Sequence, residues 1–167
     1  MIKIRKLHKH QQRVAQAVIC LTALCATGCT QDGNAPDRNE SLYQDFDRYI
    51  AEYRETTRRL TLPPGTSWGT EPTKPPEPML YAQGAGSTKA ELHWFCSWEK
   101  EWISTAGSGP DEARHRVALE QLEKVKELQV YQVALDPAGR ALIDKGLEEA
   151  RRGVATTITS DVAANCV

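Results

Sequence analysis

The chain has 167 residues, 26% of them charged and 40% hydrophobic, and its formal net charge is −1. That length is enough for one domain with a core of its own. The first 28 residues carry five of the 21 Lys and Arg residues and none of the 22 acidic ones, which leaves a net charge of −6 on residues 29–167. This acidic remainder argues against a nucleic-acid partner, because nucleic acids favour basic surfaces.

The N-terminal residues have the pattern of a secretory signal. Basic residues are followed by the apolar run VAQAVICLTALCA, which is too short to span a bilayer as a helix but suits the apolar region of a signal. The small residues Ala26 to Gly28 precede Cys29, and this stretch resembles a bacterial lipoprotein signal whose lipobox ends in a lipidated cysteine. Ala26 departs from the usual leucine. The resemblance implies a signal peptide over 1–28, a lipid on Cys29 and an anchored, extracytoplasmic protein. Plain secretion is the alternative.

A flexible tether is predicted over residues 29–40, because this segment is nearly devoid of apolar side chains. A single helical domain is predicted over 41–167. Ser41 and Gln44 match a helix capping box, and the apolar residues that follow recur at three- and four-residue spacing. A helix is therefore predicted over 41–60.

The next segment holds six prolines in residues 61–78. Proline lacks the amide hydrogen and restricts φ, so neither a helix nor a central strand is expected there. We interpret residues 61–87 as an extended strap that packs Leu62 and Trp68 over the bundle. The alternative is a polyproline ligand for an outside partner.

A central helix is predicted to begin at a second capping box, Thr88 with Glu91. The glycines and proline of residues 107–110 end it and begin a third helix. A bend is expected after Leu128, ahead of a fourth helix that Asp136 caps.

Pro137 suits the first turn of that fourth helix, and Gly153 follows its end. A weaker last helix runs towards Cys166. The predicted fold class is an all-α bundle of four to five helices with a long proline-rich strap and one disulfide.

The stretch ELHWFCSWEKEW, residues 91–102, gives the central helix a wide apolar arc that predicts burial on more than one side. Leu92 lies within this arc. Trp94, at its edge, and Trp68, in the strap, are the candidates for stacking on sugar rings. Glu99 projects from the middle of the apolar face, where a carboxylate must be paired, hydrogen-bonded or protonated. A structural Glu99 accepts from strap amides or pairs with Arg140, whereas a functional one is a general acid or ligand contact.

The chain has five cysteines. Cys20 and Cys25 leave with a cleaved signal, and lipidation of Cys29 leaves Cys96 and Cys166 as one pair. An even pair suits an oxidising compartment, and we expect a structural disulfide. A reactive thiol is the alternative, although the Cys-x-x-Cys pattern is absent.

No motif of metal, phosphate or nucleophilic chemistry stands out in the sequence. Only His93 and His115 follow the signal, and no HExxH, P-loop or Gly-x-Ser-x-Gly occurs. We therefore predict no catalytic residues, no metal ligands and no cofactor, and favour a protein that is not an enzyme.

The segments LPPGTSW, WFCSWEKEW, LDPAGR and AANC resemble the framework of uncharacterised small secreted helical proteins of high-GC Gram-positive bacteria. The likeness covers residues 60–166. It implies extracytoplasmic placement, the Cys96–Cys166 bridge and contact between strap and central helix, but no activity.

The predicted function is that of a lipid-anchored, non-catalytic interaction or adaptor module at the cell envelope. Its partners are the membrane, through the lipid, and an envelope protein. The alternative is a module that binds cell-wall glycan or a small ligand with Trp68, Trp94 and Glu99.

Overall fold

The computed structural model describes residues 42–107 and 111–166. The predicted signal peptide, Cys29 and the tether lie outside these residues. The described residues form five α-helices and one small two-stranded antiparallel sheet, in the following order. The elements are β1 (Tyr43–Gln44), α1 (Phe46–Arg59), β2 (Tyr81–Ala82), α2 (Ala85–Ser104), α3 (Glu112–Glu123), a 3₁₀ turn (Lys124–Glu127), a π-helical turn (Val130–Ala134), α4 (Pro137–Arg151) and α5 (Thr156–Asn165). The predicted helical bundle is confirmed.

The first helix begins later than the sequence pattern predicted. Asp45, not Ser41, is its N-cap, and the Asp45 carboxylate accepts a hydrogen bond from the backbone N–H of Arg48 at 3.0 Å. Asp is a strong N-cap because its carboxylate satisfies an amide that the helix leaves unpaired. The residues before it have a different use, since Tyr43 and Gln44 pair with β2. The predicted start at residue 41 is therefore wrong.

The central helix α2 begins earlier than predicted. Gly84 precedes it with a φ of 79°, and the backbone N–H groups of Gly84 and Gly86 donate to the Glu52 carboxylate of α1 at 3.0 and 3.1 Å. A carboxylate from another helix thus satisfies amides at this N-terminus and complements its dipole. The predicted capping box of Thr88 and Glu91 is wrong, because both residues lie inside the helix. Glu91 is therefore not a capping residue.

The approach of α1 to α2 depends on the absence of a side chain at Gly86. A Cβ there would clash with the Tyr49 carbonyl oxygen and lie 2.9 Å from the Tyr53 nitrogen. Because both neighbours are backbone, the helices themselves must separate to admit a methyl group. We expect Gly86→Ala to lower the free energy of unfolding by about 2–3 kcal/mol.

The check is urea denaturation, with Gly146→Ala as the matched control in α4. A Cβ at Gly146 meets its nearest neighbour at 3.4 Å, an ordinary contact, and alanine is the better helix former. The control should keep or slightly raise stability. An equal response of both variants would contradict a steric requirement specific to Gly86.

The core is built around α2, whose aromatic side chains are turned inward. Trp94, Phe95, Trp98 and Trp102 are each at most 5% exposed. They pack against apolar residues of the later elements, including Leu122, Val125, Leu147 and Ile158. Aromatic rings bury on the order of 150–250 Å² each, so this helix supplies much of the hydrophobic stabilisation.

The proline-rich strap lies against the same helix. The indole N–H groups of Trp94 and Trp98 both donate to the carbonyl oxygen of Thr61, at 2.9 and 3.1 Å. Leu62 and Trp68 are partly buried against the core, as the strap interpretation expected. Prolines hold this segment out of a helix, and its Thr61 carbonyl is thus available to two buried donors.

The second half of the chain shows the predicted bend at Leu128 and the predicted start and end of the fourth helix, whereas the third helix ends at Glu123, before a 3₁₀ turn. Leu128 is extended and ends the 3₁₀ turn. Asp136 accepts a hydrogen bond from a backbone N–H in the first turn of α4 at 2.7 Å, with Pro137 at the first helical position. Gly153 follows α4 with a φ of 73°, a conformation that favours glycine at a helix C-terminus.

Candidate functional site

A disulfide staples the end of the described chain to the central helix. Cys96 and Cys166 are bonded with an S–S distance of 2.05 Å across a sequence separation of 70 residues, which confirms the predicted pair. One turn further along α2, Lys100 donates to the carbonyl oxygen of Cys166 at 2.6 Å. The end of α5 is thus held on α2 by a covalent bond and by a hydrogen bond from a charged group.

Glu99 is buried beside this disulfide, as its place on the apolar face predicted. Its side chain is 2% exposed, and its Oε2 lies 3.4 Å from Cys166 Sγ. A disulfide sulfur carries no hydrogen, so only a protonated Glu99 carboxyl can be the donor in this contact; the Asp161 carboxylate is its other hydrogen-bond partner. The predicted partners of Glu99, the strap amides or Arg140, are wrong. Glu99 contacts Cys166 and Asp161 instead, and Arg140 donates to the carbonyl oxygen of Leu135.

The protonated state of Glu99 has a physical cause. Burial, reinforced by the neighbouring Asp161 carboxylate, raises the pKa of Glu99 to about 9, while Lys100 acts in the opposite direction. Removing water disfavours the charged carboxylate, and a second carboxylate within hydrogen-bond reach disfavours it further. Glu99 is therefore a neutral carboxyl at pH 7 that donates a hydrogen bond.

The space around Glu99 is too small for an organic ligand. Glu99 and Asp161 line a cavity of about 10 Å³ that is otherwise walled mainly by apolar residues of α4 and α5. That volume holds roughly one water molecule. Neither Trp68 nor Trp94 lines it, so the three residues of the predicted ligand site do not share this cavity.

The two tryptophan candidates lie where the strap packs on α2, with Trp68 in the strap and Trp94 in the helix. Trp94 is 1% exposed, which leaves no ring face for a sugar. Trp68 is partly exposed and lies 5.5 Å from the His93 ring, centroid to centroid. His93 Nε2 also donates to the carbonyl oxygen of Ser67 at 3.1 Å. These contacts hold strap and helix together.

An open groove of about 870 Å³ runs along the outer face of α2, between the β2 end, the π-helical turn and the last described residues, Asn165 and Cys166. Leu92 and Val133 line it with 43% and 73% of their surface exposed. The expectation that Leu92 belongs to the core is therefore wrong. The disulfide forms part of the wall, because Cys96 and Cys166 both line the groove.

The groove differs in charge from the chain as a whole. Lys89, Lys100 and His93 line it, and the described lining residues include no Asp or Glu. Residues 29–167 nevertheless carry six more acidic than basic residues. The groove therefore combines exposed apolar groups with basic ones, and suits an occupant that is both apolar and anionic.

Glu91 has a different role from the capping box that its spacing from Thr88 predicted. It is 1% exposed, accepts a hydrogen bond from the backbone N–H of Val130 at 2.7 Å and pairs with Arg59 at 3.3 Å. It therefore anchors the π-helical turn that carries Val133 into the groove. Its spacing was the available signal, because Trp94, Trp98 and Trp102 follow it by three, seven and eleven positions on the same face.

Among the described residues, one cluster has the composition of a metal site. Ligand atoms of Cys96, Glu99 and Cys166 lie within 4.8 Å of one another. Both sulfurs are engaged in the disulfide, and thiolates are what metals bind. The oxidised chain thus offers no thiolate there.

The arrangement defines a small helical domain, stapled by one disulfide, with an open basic and apolar groove. No protein-family model, no curated protein and no solved structure matches this chain. Within the part that the structure describes, none of the helices has the length and apolar character needed to cross a bilayer.

Proposed function

We propose that the protein is a lipid-anchored, extracytoplasmic interaction module, and that its groove binds an acidic, apolar segment of an envelope protein. The supporting observation is the groove itself, where exposed Leu92 and Val133 lie among lysines and the described lining residues include no Asp or Glu. The anchor rests on the resemblance of the residues before Cys29 to a lipobox.

The groove suits weak and reversible binding. Burial of a Leu or Val side chain contributes about 1.5–3 kcal/mol when it is complete, and exposed ion pairs contribute about 0–1 kcal/mol each. These contributions must also offset the entropic cost of association, so we expect a Kd on the order of tens of micromolar or weaker. Such an affinity is adequate for an adaptor that a lipid holds beside its partner, because tethering raises the effective concentration.

The same geometry favours binding of a protein segment over the alternative function, binding of a glycan or small ligand. Of its three candidate residues, Trp94 and Glu99 are buried. Trp68 is partly exposed but is committed to His93 and the core.

Binding is tested by fluorescence anisotropy with two labelled peptides of equal length and equal leucine content, one rich in Glu and one rich in Lys. We expect the acidic peptide to bind at tens of micromolar and the basic peptide to bind at least about tenfold more weakly. Lys89→Glu should weaken the acidic peptide by about tenfold, whereas Lys74→Glu, outside the groove, should not. Equal binding of both peptides, or no binding, would overturn the proposal.

The partner class is tested in cells with a photo-crosslinking amino acid placed at Val133, and at Val117 of α3 as the matched exposed control. We expect a defined envelope protein to crosslink at Val133 alone. Cys29→Ala should abolish that product, and Cys25→Ala should retain it. Recovery of wall fragments from Val133 would favour the glycan alternative instead.

A further inference from the structure

The disulfide has two different sides. One side faces the open groove, which Cys96 and Cys166 both line. The other side faces the buried Glu99 carboxyl, whose Oε2 lies 3.4 Å from Cys166 Sγ. We propose that this disulfide is a substrate for thiol–disulfide exchange, in which a thiolate attacks Cys96 from the groove and Glu99 protonates the departing Cys166 sulfur. This chemistry is independent of whether the groove binds a peptide.

Access favours attack on Cys96. Cys96 is partly exposed, whereas Cys166 is 7% exposed. An attacking thiolate is an anion, and the groove supplies Lys89 and Lys100, with no Asp or Glu side chain among its described lining residues. The groove thus admits the nucleophile to the sulfur of the more exposed cysteine.

The position of Glu99 allows it to protonate the leaving sulfur, which would otherwise be released as a buried thiolate. The sulfur that leaves, Cys166, is released into a buried place where a thiolate is poorly solvated. A neutral carboxyl in contact with that sulfur supplies the proton as the bond breaks. The charged groups that face Glu99 are Asp161 from α5 and Lys100 from α2, and the α4 residues that line its cavity are uncharged.

The reaction balances with a dithiol as the reductant. Its first thiolate forms a bond to Cys96 Sγ, the Cys96–Cys166 bond breaks, and Cys166 leaves with the electron pair and takes the proton of Glu99. The second thiol of the reductant then loses its proton to solvent and attacks the reductant sulfur that is bonded to Cys96. This attack forms the reductant's own disulfide, breaks the bond to Cys96 Sγ and releases Cys96 as a thiolate. Cys96 and Glu99 regain protons from water. Two electrons pass from the dithiol to the protein.

Kinetics with dithiothreitol test the proposal on the full-length chain, after the thiols that are free at the outset have been alkylated. We expect the reduction rate to rise linearly with thiolate concentration, as direct attack on the folded chain requires. The rate constant per thiolate should fall as the pH passes about 9 and Glu99 ionises. A plateau at high thiol would mean that the bond opens only after local unfolding, and would overturn the proposal.

Two variants separate proton donation from structure. Glu99→Gln keeps the shape and loses the acid, so its rate constant per thiolate should fall by at least about tenfold below pH 9 and lose its pH dependence. Glu101→Gln makes the same chemical change on the same helix and should behave as wild type. Equal rates for Glu99→Gln and wild type would overturn the role of Glu99.

The site of attack is tested with glutathione alone, which as a monothiol leaves a mixed disulfide. Acid quenching followed by peptide mass spectrometry locates it. We expect glutathione on Cys96. Glutathione on Cys166, on both cysteines equally, or on neither would overturn the direction of attack.

Discussion

Raising the pH from 5 to 8 is expected to lower the free energy of unfolding by about 4 kcal/mol through Glu99 alone. The pKa of Glu99 rises from 4.5 to about 9 in the folded chain, chiefly through burial. Between these two values the folded state holds a proton that the unfolded state has lost, so unfolding becomes easier as the pH rises. The full contribution of neutral Glu99 is present below about pH 4.5 and is lost progressively up to about pH 9.

Other carboxyls act in a different window. Hydrogen bonds from Arg54 and Lys126 hold the pKa values of Glu71 and Asp144 below their ordinary values, and the Thr157 hydrogen bonds do the same for Glu149. Their stabilisation is present above the unfolded pKa and is lost only as the pH falls into the acid range. They therefore do not mask the loss expected between pH 5 and pH 8.

Glu99→Gln provides the decisive comparison in urea denaturation at pH 5, 7 and 8. The variant has no carboxyl at this position to ionise, so its stability should be close to that of wild type at pH 5 and exceed it at pH 8 by about 4 kcal/mol. Glu101→Gln, on the partly exposed side of α2, should keep the wild-type dependence on pH. An unchanged slope in Glu99→Gln would contradict the assignment of Glu99 as a buried neutral acid.

The second large effect concerns the disulfide. Replacing Cys96 and Cys166 together by alanine should lower the free energy of unfolding by about 4 kcal/mol, because the cross-link no longer restricts the unfolded chain over a separation of 70 residues. For a chain of this size the melting temperature should fall by about 10 °C. The measurement is calorimetry at pH 5, where Glu99 is neutral in the folded state.

Single variants test whether the cross-link itself matters. Cys96→Ala and Cys166→Ala each remove the whole bond, so each should cost nearly as much as the double variant. Costs of the singles that add up to that of the double would indicate lost packing at two separate places. A melting temperature within about 2 °C of wild type would show that α5 stays docked without the bond.

Much of the fold is encoded in short stretches of the sequence. The prolines of residues 61–78 exclude helix because each removes an amide hydrogen, and Asp136 with Pro137 specifies the start of α4 locally. Glu99 was recognisable as a buried carboxylate because helical periodicity alone places it on the apolar face. Cys96 and Cys166 were the pair that remained once a cleaved signal and a lipidated Cys29 were assumed, and they are bonded.

Tertiary structure decided the features that depend on residues far apart in the chain. The start of α2 depends on Glu52, and the role of Glu91 depends on Val130, 39 residues away. The partner of Glu99 is similar, because Cys166 lies 67 residues from it. Periodicity predicts which side of a helix is buried but not which group meets it there.

The groove also depends on the tertiary structure and could not be predicted from the sequence. The sequence by itself predicted a helical bundle, the strap, the burial of Glu99 and the cysteine pair, because local spacing and backbone chemistry indicate each of them, although two helix starts were wrong. Only the folded chain decided that Leu92 is exposed and shares a groove with Val133 and two lysines. That outcome depends on how β2, the π-helical turn and the chain end pack around α2, and these contacts have no signature in any single stretch of sequence.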